Sequence, residues 1–275
     1  MKNNSIRVAV YGAAGRMGRS LIEAVINNDS VKLGAAIVRP GSSLIDSDAG
    51  NLIGISDTGI TVTDNLLNVL HDFDVLIDFS SIEASLVNSQ ICKEHSKGIV
   101  IGTTGFDDNQ KQQLTSASRQ SALCIASNFS TGVNLCFGLI DLAAQVLGQE
   151  VDIEISEAHH KNKIDAPSGT ALNMGEIIAE SLGLNFDDVA VYGREGQTGK
   201  RSKNTIGFST LRAGDIVGDH TVTFASDGER IEITHKASSR MSFARGAVKA
   251  ANWISSKKNG VYDMQIGRAS CRERV

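Results

Sequence analysis

Ile6-Arg7-Val8-Ala9-Val10-Tyr11-Gly12-Ala13-Ala14-Gly15-Arg16-Met17-Gly18 stands near the start of the chain and decides its fold. A short apolar run rich in β-branched residues reads as a buried strand. It breaks at a GxxGxxG spacing, where the chain must turn sharply and start a helix over Arg16 to Ile26. Glycine there allows the backbone to approach a pyrophosphate, and the helix start supplies N–H donors and the positive end of the dipole. Gly12, Ala13, Ala14, Gly15, Arg16 and Met17 are therefore candidate cofactor-binding residues, with Arg19 as a further phosphate contact. Glycines at a helix start also serve packing alone. It is the position after the first strand that points to a dinucleotide.

Outward from this loop, short apolar runs alternate with amphipathic stretches: KLGAAIV, then DVLIDF, GIVIG and LCIAS, with helices expected over Glu83 to Glu94 and Asp107 to Ser118. This is the pattern of parallel strands with crossover helices, an α/β, Rossmann-like doubly wound domain. After Thr131 the texture changes. A helical stretch from Val133 to Leu147 leads into VDIEISE, in which Val151, Ile153 and Ile155 alternate with Asp152, Glu154 and Ser156. NTIGFSTL, HTVTFAS and ERIEITH repeat that alternation between Gly and Asp turns, which implies a second, α+β domain with an open mixed sheet. Helical periodicity returns over Met241 to Trp253. The expected division is a dinucleotide-binding domain of residues 1–130 and 241–264, a second domain of residues 131–240, and an atypical tail, 265–275, whose removal from Gly267 onward is expected to leave turnover unchanged.

Composition narrows the function classes. The 275 residues are 41% hydrophobic and 21% charged, with a net charge of -4, which is the profile of a globular protein with a core and not of a disordered or fibrous one. No basic stripe is present to neutralise phosphates, so no nucleic-acid partner is expected. The N-terminus carries no apolar run long enough for a signal peptide or a span, so no membrane is expected. Four cysteines lie far apart without ligand spacing, which argues for reduced thiols, a cytoplasmic location and no metal site.

At the end of the second strand the chain reads Ile37-Val38-Arg39-Pro40, where NAD-binding folds usually carry an acid for the ribose hydroxyls. Arg39 is placed to meet a 2′-phosphate, so NADPH is expected in preference to NADH; otherwise it is a solvated strand-end arginine. Gly102-Thr103-Thr104-Gly105 and Ser127-Asn128-Phe129-Ser130 also follow strands at their carboxyl ends. They either line the nicotinamide side or are tight turns whose hydroxyls cap the next helix. Gly193 to Lys200 is not a phosphate loop, because Arg194 stands where that motif needs glycine.

The densest chemistry is Glu157-Ala158-His159-His160-Lys161-Asn162-Lys163-Ile164-Asp165-Ala166-Pro167-Ser168-Gly169-Thr170, between an alternating strand and a helical run to Ser181. Ser168 suits an N-cap, and the N–H groups of Gly169 and Thr170 open the helix. Histidine and lysine beside a helix start make an anion pocket with proton donors, suited to a small dianionic substrate. A solvated basic loop is the plainer reading.

Taken together, EAHHKNKIDAPSGTA, VAVYGAAGRMGR, VIGTTGF, SNFSTGVN, LRAGDIVGDH and ITHKASSR resemble the bacterial dihydrodipicolinate reductases, also described as 4-hydroxy-tetrahydrodipicolinate reductases of the diaminopimelate and lysine pathway, from about Ile6 to Met264. The resemblance implies NAD(P)H-dependent reduction of 4-hydroxy-tetrahydrodipicolinate to tetrahydrodipicolinate with loss of water. It implies His159 as proton donor or acceptor, Lys163 as proton donor, and His160, Gly169 and Thr170 as substrate-binding residues. For the cofactor, NADPH with NADH also possible, it implies Gly12 to Met17, Arg39, Gly102, Thr103, Thr104, Ala126, Ser127, Asn128 and Phe129. A cytoplasmic homotetramer joined through the second-domain sheets is implied as well, and with it substrate binding and oligomerisation as the work of residues 131–240. Departures are Val38, where an acid often precedes Arg39, and Ser81-Ile82, where relatives commonly have a basic residue and proline. The rival readings are a nucleotide-sensing protein without catalysis and an amino-acid semialdehyde dehydrogenase; a Ser-His-Asp hydrolase is disfavoured because no GxSxG elbow follows a strand.

Overall fold

The structure, a computed structural model, describes residues 5–264. The tail read as atypical, 265–275, and Cys271 within it lie outside the described residues. Contacts divide the chain into two compact units, one running to Ser130 and resuming at Arg240, the other Thr131–Ser239. Arg240, read from the sequence as the end of the second unit, groups with the first because it stands at the cap of the helix that begins at Met241.

The first unit is built from β1 (Ile6–Tyr11), α1 (Arg16–Ile26), β2 (Val31–Ile37), β3 (Val62–Thr63), β4 (Val75–Asp78), α2 (Ile82–Glu94), β5 (Gly98–Ile101), α3 (Asp108–Ala117) and β6 (Ala122–Ile125). The second contains α4 (Thr131–Leu147), β7 (Asp152–His159), α5 (Gly169–Ser181), α6 (Phe186–Val189), β8 (Ala190–Tyr192), β9 (Ile206–Arg212), β10 (Gly218–Ser226) and β11 (Glu229–Ala237). The chain then returns to the first unit as α7 (Met241–Ile254) and β12 (Gly260–Tyr262).

The first sheet is parallel throughout, in the order β12-β6-β5-β4-β1-β2-β3. Strand order reverses at β1, flanked by β2 on one side and β4 on the other, which is the switch point where ligands of such sheets bind. Both faces are covered, so both phases of each strand are apolar. Val8 and Val10 point into a core shared with Leu21 and Val25 of α1 and Ala247 and Ala251 of α7. Ala9 points into the opposite core, with Cys92 of α2 and Leu114 of α3. Asp107 caps α3 with a capping box completed by Gln110.

The second sheet is mixed, in the order β11-β10-β7-β9-β8: β7, β9 and β8 run parallel, whereas β10 is antiparallel to β7 and β11 to β10. One face is covered. Ile153 and Ile155 of β7, Phe208 of β9 and Val222 and Phe224 of β10 pack against Val133, Phe137 and Ile140 of α4 and Met174 and Ile178 of α5. The other face keeps polar residues outward, Ser156, Ser209, Glu232 and Thr234 among them. Among the described residues one segment, Thr131–Glu150 with mean hydropathy 1.4, is long and apolar enough to cross a membrane. Here its inner face lies under this sheet, while Leu135, Leu139, Leu142 and Val146 remain exposed.

Candidate active site

In the first unit the sequence-derived cofactor residues fall just beyond the carboxyl ends of parallel strands, Arg16 and Met17 in the first turn of α1. Gly12 follows β1 with a φ of +75°, a conformation open to glycine at low cost. The Gly15 N–H donates to the Gly12 carbonyl at 2.9 Å, and Ala13 N–H donates to Ile37 O at 2.9 Å, tying the loop to β2. Gly15 is the N-cap of α1 and offers no side-chain acceptor. No acidic residue lies in the first turn, so the helix start retains its preference for an anion. A Cβ on Gly18 would overlap the Gly12 carbonyl oxygen and stand 2.7 Å from Ala13 Cα, so the third glycine is demanded by helix packing against the loop. These features fit a dinucleotide pyrophosphate. Ala13 is wholly buried, so it offers a ligand its backbone only.

Arg39 is exposed just beyond β2, while Val38 is buried in the core, 1% exposed. No carboxylate therefore precedes Arg39, and the side chain at 38 points away from the ligand edge. At the end of β5, Gly102 N–H donates to Asp78 O at 2.9 Å, and a Cβ on Gly102 would overlap the Phe79 ring. Thr103 Oγ1 accepts from Ser85 Oγ at 2.9 Å. The next helix is capped by Asp107 instead, so the capping explanation of this loop fails. Asn128 Oδ1 accepts from Ser130 N–H at 2.8 Å, and Phe129, buried, stacks obliquely on Phe79 with ring centroids 5.3 Å apart. Ala126 packs at the edge of the same core, beside Ser127. Ser81, one of the sequence departures, caps α2 through the Ala84 amide at 3.3 Å, which gives it a structural duty.

The second unit gathers the residues expected to handle protons at one end of its sheet. Because β7 alternates, Glu157 and His159 continue the phase of Ile153 and Ile155 and face the covered side, beyond the apolar core. Register sets His159 opposite Arg212 on β9 and Glu157 opposite His220 on β10. The Glu157 carboxylate, 1% exposed, accepts the Arg212 fork at 2.7 and 2.8 Å, His159 Nδ1 at 2.6 Å and the Ser168 amide at 3.1 Å. Burial alone would raise the Glu157 carboxyl, but hydrogen bonds from Arg212 and His159 outweigh it and hold it below the usual range. A carboxylate only accepts, so His159 donates through Nδ1–H and leaves Nε2 for chemistry. Burial lowers the His159 pKa, the nearby charges of Lys163 and Arg212 add to that, and Glu157 opposes them; the net shift favours the neutral ring.

Ser168 caps α5, accepting from Ala171 N–H at 3.3 Å, and its hydroxyl lies 2.9 Å from His220 Nε2. Around Gly169 a Cβ would meet no heavy atom within 4 Å, so the helix start opens onto free space. Thr170 follows, buried. His160 and Lys163 sit in the turn after β7, closed by Lys163 N–H to His160 O at 3.0 Å. The Lys163 ammonium pairs with Asp165 at 2.8 Å. Sequence reasoning missed Arg212 and His220, and used Glu157 only as part of a motif. The alternation in VDIEISEAH was the available signal for Glu157; cross-strand register was not available at all.

A Gly-rich turn at a doubly wound switch point, together with a histidine and lysine cluster at a helix start on a second sheet, defines a two-domain nicotinamide-dependent oxidoreductase. Two family models cover the chain, "Dihydrodipicolinate reductase, N-terminus" over residues 6–129 and "Dihydrodipicolinate reductase, C-terminus" over residues 132–266. The chain belongs to the dihydrodipicolinate reductase family. It is 58% identical over 259 residues to the 4-hydroxy-tetrahydrodipicolinate reductase of Saccharophagus degradans, covering 94% of this chain and 97% of that one. Among solved structures it is similar to a dipicolinate-bound dihydrodipicolinate reductase from Paenisporosarcina sp. TG-14, with TM-score 0.76, 28% identity and coverage of 94% and 98%. A myo-inositol 2-dehydrogenase from Lactobacillus plantarum, 12% identical with TM-score 0.59 over 91% of this chain and 88% of that one, shares the fold alone.

Proposed function

We propose that this chain reduces 4-hydroxy-tetrahydrodipicolinate to tetrahydrodipicolinate, consuming NADPH and one proton and releasing water. Two facts support the reading: membership of the family, and the His159 imidazole held at 2.6 Å by a buried carboxylate beside the start of α5. The reduced nicotinamide, when bound, supplies the hydride. The chain's own residues manage charge and protons. The first-turn amides of Gly169 and Thr170, with His160, hold a substrate carboxylate, as a helix start favours. His159 takes a ring proton from the substrate through Nε2 and returns it to the ring, so the one proton consumed overall is the one that Lys163, after parting from Asp165, gives to the hydroxyl that leaves as water. Neutral at pH 7, His159 can take a proton and return it without leaving its Glu157 partner.

NADPH is the preferred cofactor on this reading. Arg39 is free to pair with a 2′-phosphate, and buried Val38 provides no carboxylate for the ribose hydroxyls. The glycine loop and the ends of β5 and β6 bind the rest of the dinucleotide, so residues 1–130 and 241–264 form the cofactor domain and 131–240 the substrate and oligomerisation domain. The protein is cytoplasmic and tetrameric, joined through the uncovered face of the second sheet.

Mixing the protein with freshly made hydroxy-tetrahydrodipicolinate and following NADPH oxidation tests the reading, with NADH and His159→Gln run in parallel. Rapid oxidation that falls by about 100-fold or more in the variant is expected. Tight NADPH binding with no oxidation would overturn it in favour of a nucleotide sensor.

A further inference from the structure

We infer that Glu157 is the positioning residue of this reaction: one buried carboxylate sets the tautomer of His159 and, through the Ser168 amide, the start of α5, so that proton transfer and substrate anchoring are aligned by a single group. The inference deepens the reductase reading and rests on it.

The carboxylate divides its work between its two oxygens. Oε2 accepts His159 Nδ1 at 2.6 Å and Arg212 Nη1 at 2.8 Å. Oε1 accepts Arg212 Nη2 at 2.7 Å and the Ser168 amide at 3.1 Å. With 1% of its side chain exposed, Glu157 has no alternative solvation, so loss of any partner leaves buried charge uncompensated. Arg212 is needed to keep the carboxylate ionised. An ionised acceptor forces the proton of neutral His159 onto Nδ1 and keeps Nε2 as the exchanging nitrogen.

His159 is faced by charged or titratable groups from each neighbouring element. Arg212 lies on β9, Lys163 in the loop after β7, and His220 on β10, edge-on with ring centroids 5.1 Å apart. Lys163 and Arg212 disfavour an imidazolium, and Glu157 is the anion that stabilises it. Neutralising Glu157 must therefore move His159 protonation to lower pH, whereas a residue that merely held α5 in place would leave that midpoint unmoved.

The test is 15N NMR of histidine-labelled full-length protein at pH 8, with His159 assigned by the loss of its signal in His159→Gln. The expected result is a pyrrole-like Nδ1 and a pyridine-like Nε2. In Glu157→Gln the protonation midpoint of His159 shifts to lower pH, the pH profile of kcat shifts with it, and kcat falls by about tenfold or more while KM for NADPH stays within about twofold. A wild-type His159 protonated on Nε2, or a Glu157→Gln profile that superimposes on wild type, overturns the inference. If Glu157→Gln fails to fold, the tautomer in the unaltered protein still decides it. The tautomer needs no substrate, so an Nδ1–H ring in a protein that never oxidises NADPH upholds the positioning geometry while the reductase reading fails.

Discussion

His220 Nε2 lies 2.9 Å from Ser168 Oγ, joining β10 of the second sheet to the cap of α5. Ser168→Ala removes a helix cap and a buried histidine's partner together. An N-cap contributes about 0.5–2 kcal/mol and a stranded buried polar group costs about 1–3 kcal/mol, so a loss of about 1.5–5 kcal/mol is expected. Urea unfolding measures it, and a loss below about 0.5 kcal/mol would rule the contact out as a stabilising element.

The same histidine predicts a pH dependence. Burial, reinforced by the charge of His159, pushes the His220 pKa down to about 4, and His159 is lowered in the same direction. Unfolded histidine titrates near 6.5, so between pH 6.5 and about 4 the unfolded chain binds protons that the native state refuses. Stability is therefore complete above pH 6.5 and falls as pH drops, by about 3 kcal/mol from His220 across that window. The depressed carboxyls of Glu157 and Asp165 withdraw their contribution only at lower pH still. Unfolding free energy measured from pH 7 to 4.5 should decline, and His220→Gln should flatten the decline; equal slopes in the two proteins would exclude His220 as its source.

Gly18→Ala places a methyl group against the Gly12 carbonyl and Ala13. Overpacking of this kind costs about 1–3 kcal/mol, and here it displaces the loop proposed to hold the pyrophosphate. Both the melting temperature and NADPH affinity, read by quenching of nucleotide fluorescence, are expected to fall. Unchanged affinity would mean that the loop does not contact the cofactor.

Arg39→Ala should separate the two cofactors. A charge-assisted contact to a 2′-phosphate is worth about 1.5–3 kcal/mol, so KM for NADPH should rise roughly 10- to 100-fold, with the NADH value within about twofold. An equal rise for both nucleotides would show Arg39 acting on the shared part of the molecule.

Much of the fold was legible because its signals are local. The β1 run and the glycine turn declare themselves by sterics and spacing, and the helices over Ile82–Glu94, Asp108–Ala117 and Gly169–Ser181 begin at Ser and Asp caps. Elements without a full period escaped notice. β3 has two residues, β8 and β12 three each, and α6 is one turn, too short for any alternation or amphipathic face to register.

By itself the sequence determined that a glycine turn follows the first strand and that His159, Lys163 and the Ser168-Gly169 helix start form one dense segment. These are properties of neighbouring residues. Only the tertiary structure decided what surrounds His159. Arg212 reaches Glu157 from 55 residues away, and His220 reaches Ser168 from 52. Strand register brings them in, and register depends on which strands pair and in which direction, something the period of a single strand does not contain. The histidines and lysine proposed to handle protons were therefore visible as one segment. Their tautomers and pKa values became definite only when β9 and β10 closed on β7 and buried the carboxylate among them.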